Sequence, residues 1–557
     1  MRDVEERAGA LRAGRPDAKR SNDAGRGEAM PSGRANGIAS SIGGGPHRGV
    51  AVRLVLTVWI VYALHATTNV VRETYLAMAI GGHGSVRVDP YLGLHSDIFA
   101  IPGRGAYINN NPGASILGAV PYALSRPFVA VLVRVKPELA RPKPAATYDD
   151  PRPNRTKFLN EARRRGLDVT LALAAIATQV GLMAPLGALA AAVMFNFLRA
   201  RLGDDRRALW LALLYAVATP LLFRSGFLNQ NAIIAHCVLF AFVLMAGGLV
   251  PSRPLPASAV RGEAPSTRAL AGAGAFAGLA VLCDYSGVPL LLAFGGWALV
   301  RGWAVGGARV ALRSGALFSL GAAVPLLTLL GYQWVAFGHP LFPAQRYMPA
   351  VQFSDRGWNG FSAPSAELLW RNLFDARYGL FVFCPMLVAA LVAPFLRRRG
   401  TVPVAAAGSA PRDGMPTRGE LAFIFGASGA LYLFNSANQF ALLQWNTGVR
   451  YMVPAVPLLF LALVPVLLRA PRPLAWAIVV PTLIISWSVA MVRESVPASL
   501  ARVFTHGPEL PVLRVMEKTG GAYSSLLPFG TSPIPLFLLA GVMLWLVWRT
   551  GPERARA

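Results

Sequence analysis

At 557 residues, with 54% hydrophobic and only 15% charged side chains and a mean hydropathy of +0.45, the chain holds more apolar surface than a water-soluble globule of this length buries, so its expected solvent is a bilayer. The formal net charge of +27 would suit a nucleic-acid binder, but most arginines punctuate apolar runs as cytoplasmic loop charges do, and no nucleic-acid partner is expected. Cys237, Cys283 and Cys384 lie inside apolar runs without metal-ligand spacing, which predicts neither disulfides nor structural zinc.

Residues 1–50 are rich in Arg, Gly, Ala and Ser and lack both a signal-peptide core and helical periodicity, which predicts a disordered basic cytoplasmic tail. Residues 51–550 read as one polytopic membrane domain, and 551–557 as a second cytoplasmic tail. Apolar runs fall near 52–71, 167–198, 208–224, 231–250, 268–283, 286–303, 315–336, 379–396, 421–435, 453–468, 474–491 and 534–549. A span takes roughly 20 residues, so these predict an all-α integral membrane protein of about twelve transmembrane helices. With the N-terminus inside, the groups Arg199/Arg201/Arg206/Arg207, Arg253/Arg261/Arg268, Arg301/Arg309/Arg313, Arg397/Arg398/Arg399/Arg412/Arg418 and Arg469/Arg472 all fall on the cytoplasmic side, as the positive-inside bias requires. Both termini are then cytoplasmic, and three long outer loops remain: 72–166, 337–378 and 492–533.

Residues 116–135 are apolar enough to cross, but a crossing there would turn every later Arg-rich loop outward. They are predicted to lie at the interface as a helix broken by Pro121 and Pro127. The basic stretch after it, 136–166, runs against the charge bias, and the pattern offers no reason for it.

The first outer loop carries the polar and aromatic side chains that a mere connector does not need. It runs through Arg72-Glu73-Thr74-Tyr75, Asp89, His95-Ser96-Asp97 and Arg104, then Tyr107-Ile108-Asn109-Asn110-Asn111-Pro112-Gly113. A second patch is Gly338-His339-Pro340 with Asn372 to Asp375, Arg377-Tyr378-Gly379 and Cys384-Pro385. The third is Trp445-Asn446-Thr447-Gly448-Val449-Arg450-Tyr451-Met452-Val453-Pro454 with Pro457. The order of these patches resembles the GT-C superfamily of polytopic glycosyltransferases, which includes protein O-mannosyltransferases and aminoarabinose transferases. Two departures stand out. Asn110-Asn111-Pro112 replaces the Lys-Pro-Pro of some members, and Arg72-Glu73 replaces a paired Asp-Glu.

The resemblance implies a GT-C-like fold with interfacial helices in the first outer loop, in a bacterial inner membrane. It further implies sugar transfer from a polyprenyl phosphate to a glycan, lipid or protein acceptor at the periplasmic face. Such chemistry asks for a base, for cations on the departing phosphate, and for an apolar groove. No Walker or dinucleotide glycine pattern offers a nucleotide site.

Glu73 is the candidate base, with the alternative that it only pairs with Arg72 at the membrane edge. Asp97 is a second catalytic candidate. It and Asp89 are placed to orient the acceptor or hold a divalent ion that some GT-C enzymes use, although no cofactor is required. Arg450 is the phosphate candidate, since a charge entering a span is costly unless it is used. Arg72, Arg104 and Tyr451 are weaker contacts, and His95, Tyr107, Asn109, Asn110 and Asn111 offer donors and acceptors for sugar hydroxyls. Asn229, Gln230, Asn231 and His236 mark a rim able to line the cavity, and His236 is given no catalytic role. Two further readings remain: a lipid-linked glycan flippase or polymerase, and a non-catalytic GT-C-like assembly factor.

Overall fold

The computed structural model describes residues 46–147, 154–247, 265–396, 416–444, 448–519, 523, 527 and 529–549. Most of the 1–50 tail, the 551–557 tail, the loop arginines Arg253, Arg261, Arg397, Arg398, Arg399 and Arg412, and Trp445, Asn446 and Thr447 lie outside them. The protein is an all-α membrane protein with one small hairpin of strands.

Helix α1 spans Pro46–Leu64, so the last five residues of the predicted tail belong to the first helix. The chain then extends over 65–71 and re-enters helix as α2, Arg72–His83. Strands β1 (Ile98–Ile101) and β2 (Gly105–Ile108) pair antiparallel, with Phe99 opposite Tyr107. Much of the first predicted outer loop is thus ordered secondary structure.

Helix α3, Gly113–Val135, runs unbroken through Pro121 and Pro127, which corrects the expected break. Each proline gives up one hydrogen bond without turning the chain. This helix is long and apolar enough to cross a membrane, and its later turns run back along residues 168–183, from Gly181 beside Pro121 to Val169 beside Leu132. At the first turn a Cβ on Gly113 would sit 2.7 Å from the Leu282 carbonyl, and near the last Leu132 packs with Leu139, Val169 and Tyr523. Val120, Leu124, Phe128 and Val135 face outward, an apolar side suited to lipid.

After α4 (Arg155–Arg164), α5 (Asp168–Thr178) continues through a π-turn at Gln179–Met183 into α6 (Ala184–Leu202). The π-turn has a tertiary cause. Gln179 is fully buried, and its amide donates to the carbonyls of Tyr62 (2.8 Å) and Ser225 (3.2 Å), so the helix widens where a polar side chain must leave it. The bundle proceeds through α7 (Asp205–Val217), the short α8 (Leu221–Arg224), α9 (Gln230–Met245) and α10 (Thr267–Cys283).

Next, α11 is a helical run over Val288–Phe337 whose backbone turns at Gly306 and Gly307 (φ +67°, ψ −159°). That conformation is open essentially to glycine. The two arms pack back on each other, because a Cβ on Gly302 would meet the Ala311 backbone at 2.8 Å. The two runs predicted at 286–303 and 315–336 are these arms.

The run predicted at 379–396 is not one α-helix. It is α13 (Leu380–Phe383), which follows α12 (Ala366–Phe374), and then a 3-10 stretch, Pro385–Phe395. Pro385 cannot continue a helix, and the Met386 N–H beyond it donates to Thr482 Oγ1 at 3.0 Å. Helix α14 (Arg418–Ala437) opens on a Thr417/Glu420 capping box, which stabilises its first turn. Then follow α15 (Val456–Arg469), α16 (Arg472–Val492), α17 (Val496–His506), α18 (Pro511–Lys518) and α19 (Ile534–Arg549). The core gathers around Leu54, Tyr62, Phe195, Tyr215, Phe242 and Phe460, all buried, while Trp210, Trp303, Trp334 and Trp476 face outward.

Candidate active site

At one end of the bundle a cavity of about 900 Å³ opens where α1, α7, α10 and α14 finish and α5, α9 and the first arm of α11 begin. The described arginine-rich turns, around Arg201, Arg206, Arg309, Arg469 and Arg472, fall at the opposite ends of these helices. This separation follows from the up-and-down chain path: turns alternate between the two ends.

Arg72 and Glu73 open α2, where the exposed N–H groups of the first turn favour a carboxylate. Glu73 is 2% exposed. Its Oε1 accepts from Asn110 Nδ2 at 2.7 Å and lies 3.2 Å from Arg72 Nε. With the Gln230 amide oriented by its neighbours, its nitrogen donates to Glu73 Oε1 at 3.1 Å. Its oxygen accepts from Asn110 Nδ2 at 3.3 Å and from Arg450 Nη2 at 3.0 Å. One amide thereby couples the carboxylate to the guanidinium. All these contacts fall on Oε1, and Glu73 lines the cavity.

Asp97 is held by the Arg72 guanidinium. Burial alone would raise its pKa, but Arg72, with help from His95 and Arg450, brings it down to about 2. The Asp97 N–H donates to His95 Nδ1 at 3.0 Å, so this nitrogen carries a lone pair and the proton of the neutral ring sits on Nε2. Burial pushes the His95 pKa down, against the pull of Asp97, and the ring stays a neutral donor. It stacks on Phe158 at 5.9 Å.

Arg450 is fixed from its backbone side, where its N–H and that of Tyr451 donate to Gln444 Oε1 at 3.1 and 3.3 Å. Its guanidinium lies 5.1 Å over the Tyr451 ring. Arg224, 2% exposed, also lines the cavity and packs 5.2 Å over Phe227. Buried Arg224 and half-buried Arg450 thus bring two guanidiniums to one cavity, groups suited to an anion. The opposite wall is apolar, with Leu171 and Ile176 of α5 facing Val512, Val515 and Met516 of α18.

Of the residues singled out in the sequence, Arg72, Glu73, His95, Asp97, Asn109, Asn110, Arg450 and Tyr451 meet at this one cavity. Asp89, Arg104, Tyr107 and Asn111 do not line it. Asp89 ties the hairpin together, accepting from Arg87 Nε at 2.9 Å and from the Ala106 N–H at 3.0 Å, and the Arg87 bond keeps its carboxyl below the usual range. Tyr107 donates to the Arg104 carbonyl at 3.1 Å and packs on Phe337. Asn111 donates to the Val281 carbonyl at 2.7 Å. These four are fold contacts. On the α9 rim Gln230 joins the site, and Asn229 caps the helix through the Ala232 N–H at 3.0 Å while also touching the cavity.

Sequence reasoning missed Arg224, Gln444 and Arg155. Arg224 carried a usable signal, because a charge inside the apolar stretch 216–228 is costly unless it serves a site. Arg72 already stands between Glu73 and Asp97, and among the described residues no group of three or more His, Cys, Asp or Glu could hold a metal.

No family model and no curated protein matches the chain. Two solved structures are similar to it. The first is ArnT from Cupriavidus metallidurans bound to undecaprenyl phosphate, with 18% identity over 89% of this chain and 75% of that one and a TM-score of 0.43. The second is apo ArnT from Cupriavidus metallidurans, with 18% identity over 90% of this chain and 74% of that one and a TM-score of 0.41.

Proposed function

We propose that the chain is a membrane glycosyltransferase that moves a sugar from a polyprenyl-phosphate donor to an acceptor hydroxyl or amine at the extracytoplasmic face. The observation that carries this reading is the convergence, in one largely apolar cavity, of the Glu73 carboxylate with the guanidiniums of Arg450 and Arg224. In the proposed reaction Glu73 Oε2 takes the acceptor proton as the acceptor attacks the sugar C1. The bond from C1 to the phosphate oxygen breaks, and the phosphate leaves with its electron pair against Arg450 and Arg224. The apolar wall of α5 and α18 suits a prenyl chain. A flippase would spread polar groups through the depth of several helices, whereas here they gather at one end.

The test is turnover by the purified protein in liposomes supplied with radiolabelled polyprenyl-phosphate sugars. Glu73→Gln should lose roughly 10²- to 10⁴-fold in turnover, and Arg450→Gln should weaken donor binding. Undiminished turnover in Glu73→Gln removes it as the base, and no transfer from any donor removes the transferase reading.

A further inference from the structure

Glu73 and Asp97 meet a guanidinium where a metal-dependent carboxylate pair would keep an open coordination position. Arg72 reaches Glu73 Oε1 through Nε at 3.2 Å and Asp97 Oδ2 through Nη1, so one side chain joins its sequence neighbour to an acid 25 positions further along. The Arg72 side chain is 14% exposed and that of Glu73 3%. Burial opposes charge on Arg72, yet the two carboxylates together raise its pKa above the ordinary arginine value.

Two of the other candidate ligand atoms already meet donors. Glu73 Oε1 is engaged by Asn110 and Gln230 as well, and His95 Nδ1 is occupied by the Asp97 N–H. A hard divalent ion needs several oxygens free to converge on it, and a guanidinium at the midpoint repels it.

We propose that Arg72 is a built-in counter-cation: it bridges Glu73 and Asp97 and orients them as a divalent ion would, so that the reaction at this site runs without one. The statement about the reaction rests on the transferase reading, whereas the placement of Arg72 does not. Arg72 is a positioning residue in this scheme. It leaves the donor phosphate to Arg450 and Arg224.

The two parts are separated by measuring metal binding apart from activity. Full-length protein in nanodiscs, stripped with EDTA, is titrated with Mn²⁺ and followed by electron paramagnetic resonance. The wild type should show no saturable site that Asp97→Asn abolishes. Arg72→Ala should gain one, at least about tenfold tighter than any wild-type binding, and Arg72→Ala/Asp97→Asn should lose it again. Arg72→Lys, which keeps the charge, should gain none. A stoichiometric wild-type site that depends on Asp97, or a folded Arg72→Ala that gains no site, overturns the proposal. If Arg72→Ala does not fold, the wild type and Asp97→Asn decide it between them. Sugar transfer that EDTA abolishes and Mn²⁺ restores overturns the metal-free reaction. A protein that transfers nothing yet gives the expected Mn²⁺ pattern loses the transferase reading and keeps the counter-cation.

Discussion

A quarter of the Asp97 side chain is open to the cavity, and its carboxylate is held against Arg72. Its pKa falls from the ordinary 3.8 to about 2 because Arg72 outweighs the cost of burial. A depressed carboxyl pKa means that folding favours the ionised form. The resulting stability is complete above the unfolded value of 3.8 and drains away as pH falls through about 2. In detergent, the thermal midpoint of the wild type should therefore drop across that window, and Asp97→Asn should show a shallower drop. Parallel acid profiles for the two proteins would mean that the Arg72 pair contributes no pH-dependent stability. The same reasoning divides the labour between the acids. A group held near 2 is a poor base at neutral pH, which favours Glu73 for proton transfer and leaves Asp97 to orient Arg72 and the acceptor.

At the scale of elements, the basic stretch that had no rationale in the sequence acquires one. Lys143 Nζ lies 2.9 Å from Asp168 Oδ1, Arg163 Nη1 donates to Tyr523 Oη at 3.0 Å, and Tyr523 donates in turn to Asp168 Oδ2. Arg165 reaches Glu161 and the Leu92 carbonyl. These cations fasten the segment around α18 and Tyr523 over α4 and α5, along the cavity wall. Tyr523→Phe removes the hydroxyl from two partners and should cost about 1–3 kcal/mol locally. Amide hydrogen exchange over Pro511–Lys518 should accelerate, and unchanged exchange there would show that the clamp is held by packing alone.

What the sequence withheld at this scale has a common cause. The apolar runs announced their helices through composition, but three features depend on groups remote in sequence. The π-turn at Gln179 is set by the carbonyls of Tyr62 and Ser225, and the 3-10 stretch after Pro385 is met by Thr482. The hairpin at 98–108 is tied by Asp89. A local pattern cannot register partners 17 to 117 residues away. The bond from Asn111 to the Val281 carbonyl, 170 positions on, is of the same kind.

For the molecule as a whole, the described helices alternate direction, and this alternation keeps the cavity and the arginine-rich turns at opposite ends. The positive-inside bias acts on short connectors near helix ends, so the arginine end is expected in the cytoplasm and the cavity outside. The basic 136–166 stretch does not weaken this expectation, because several of its cations are bound to acids and carbonyls and are not presented as free loop charge. Helix α3 supplies the critical case: if it crossed, every helix after it would be inverted. Single cysteines at two exposed positions decide the matter in intact cells, with the three native cysteines all buried and slow to react. Ala145→Cys, on the cavity side, should react with an impermeant maleimide, and Arg206→Cys should react only after the membrane is permeabilised. Labelling of Arg206→Cys from outside would place the cavity in the cytoplasm, out of reach of a periplasmic acceptor.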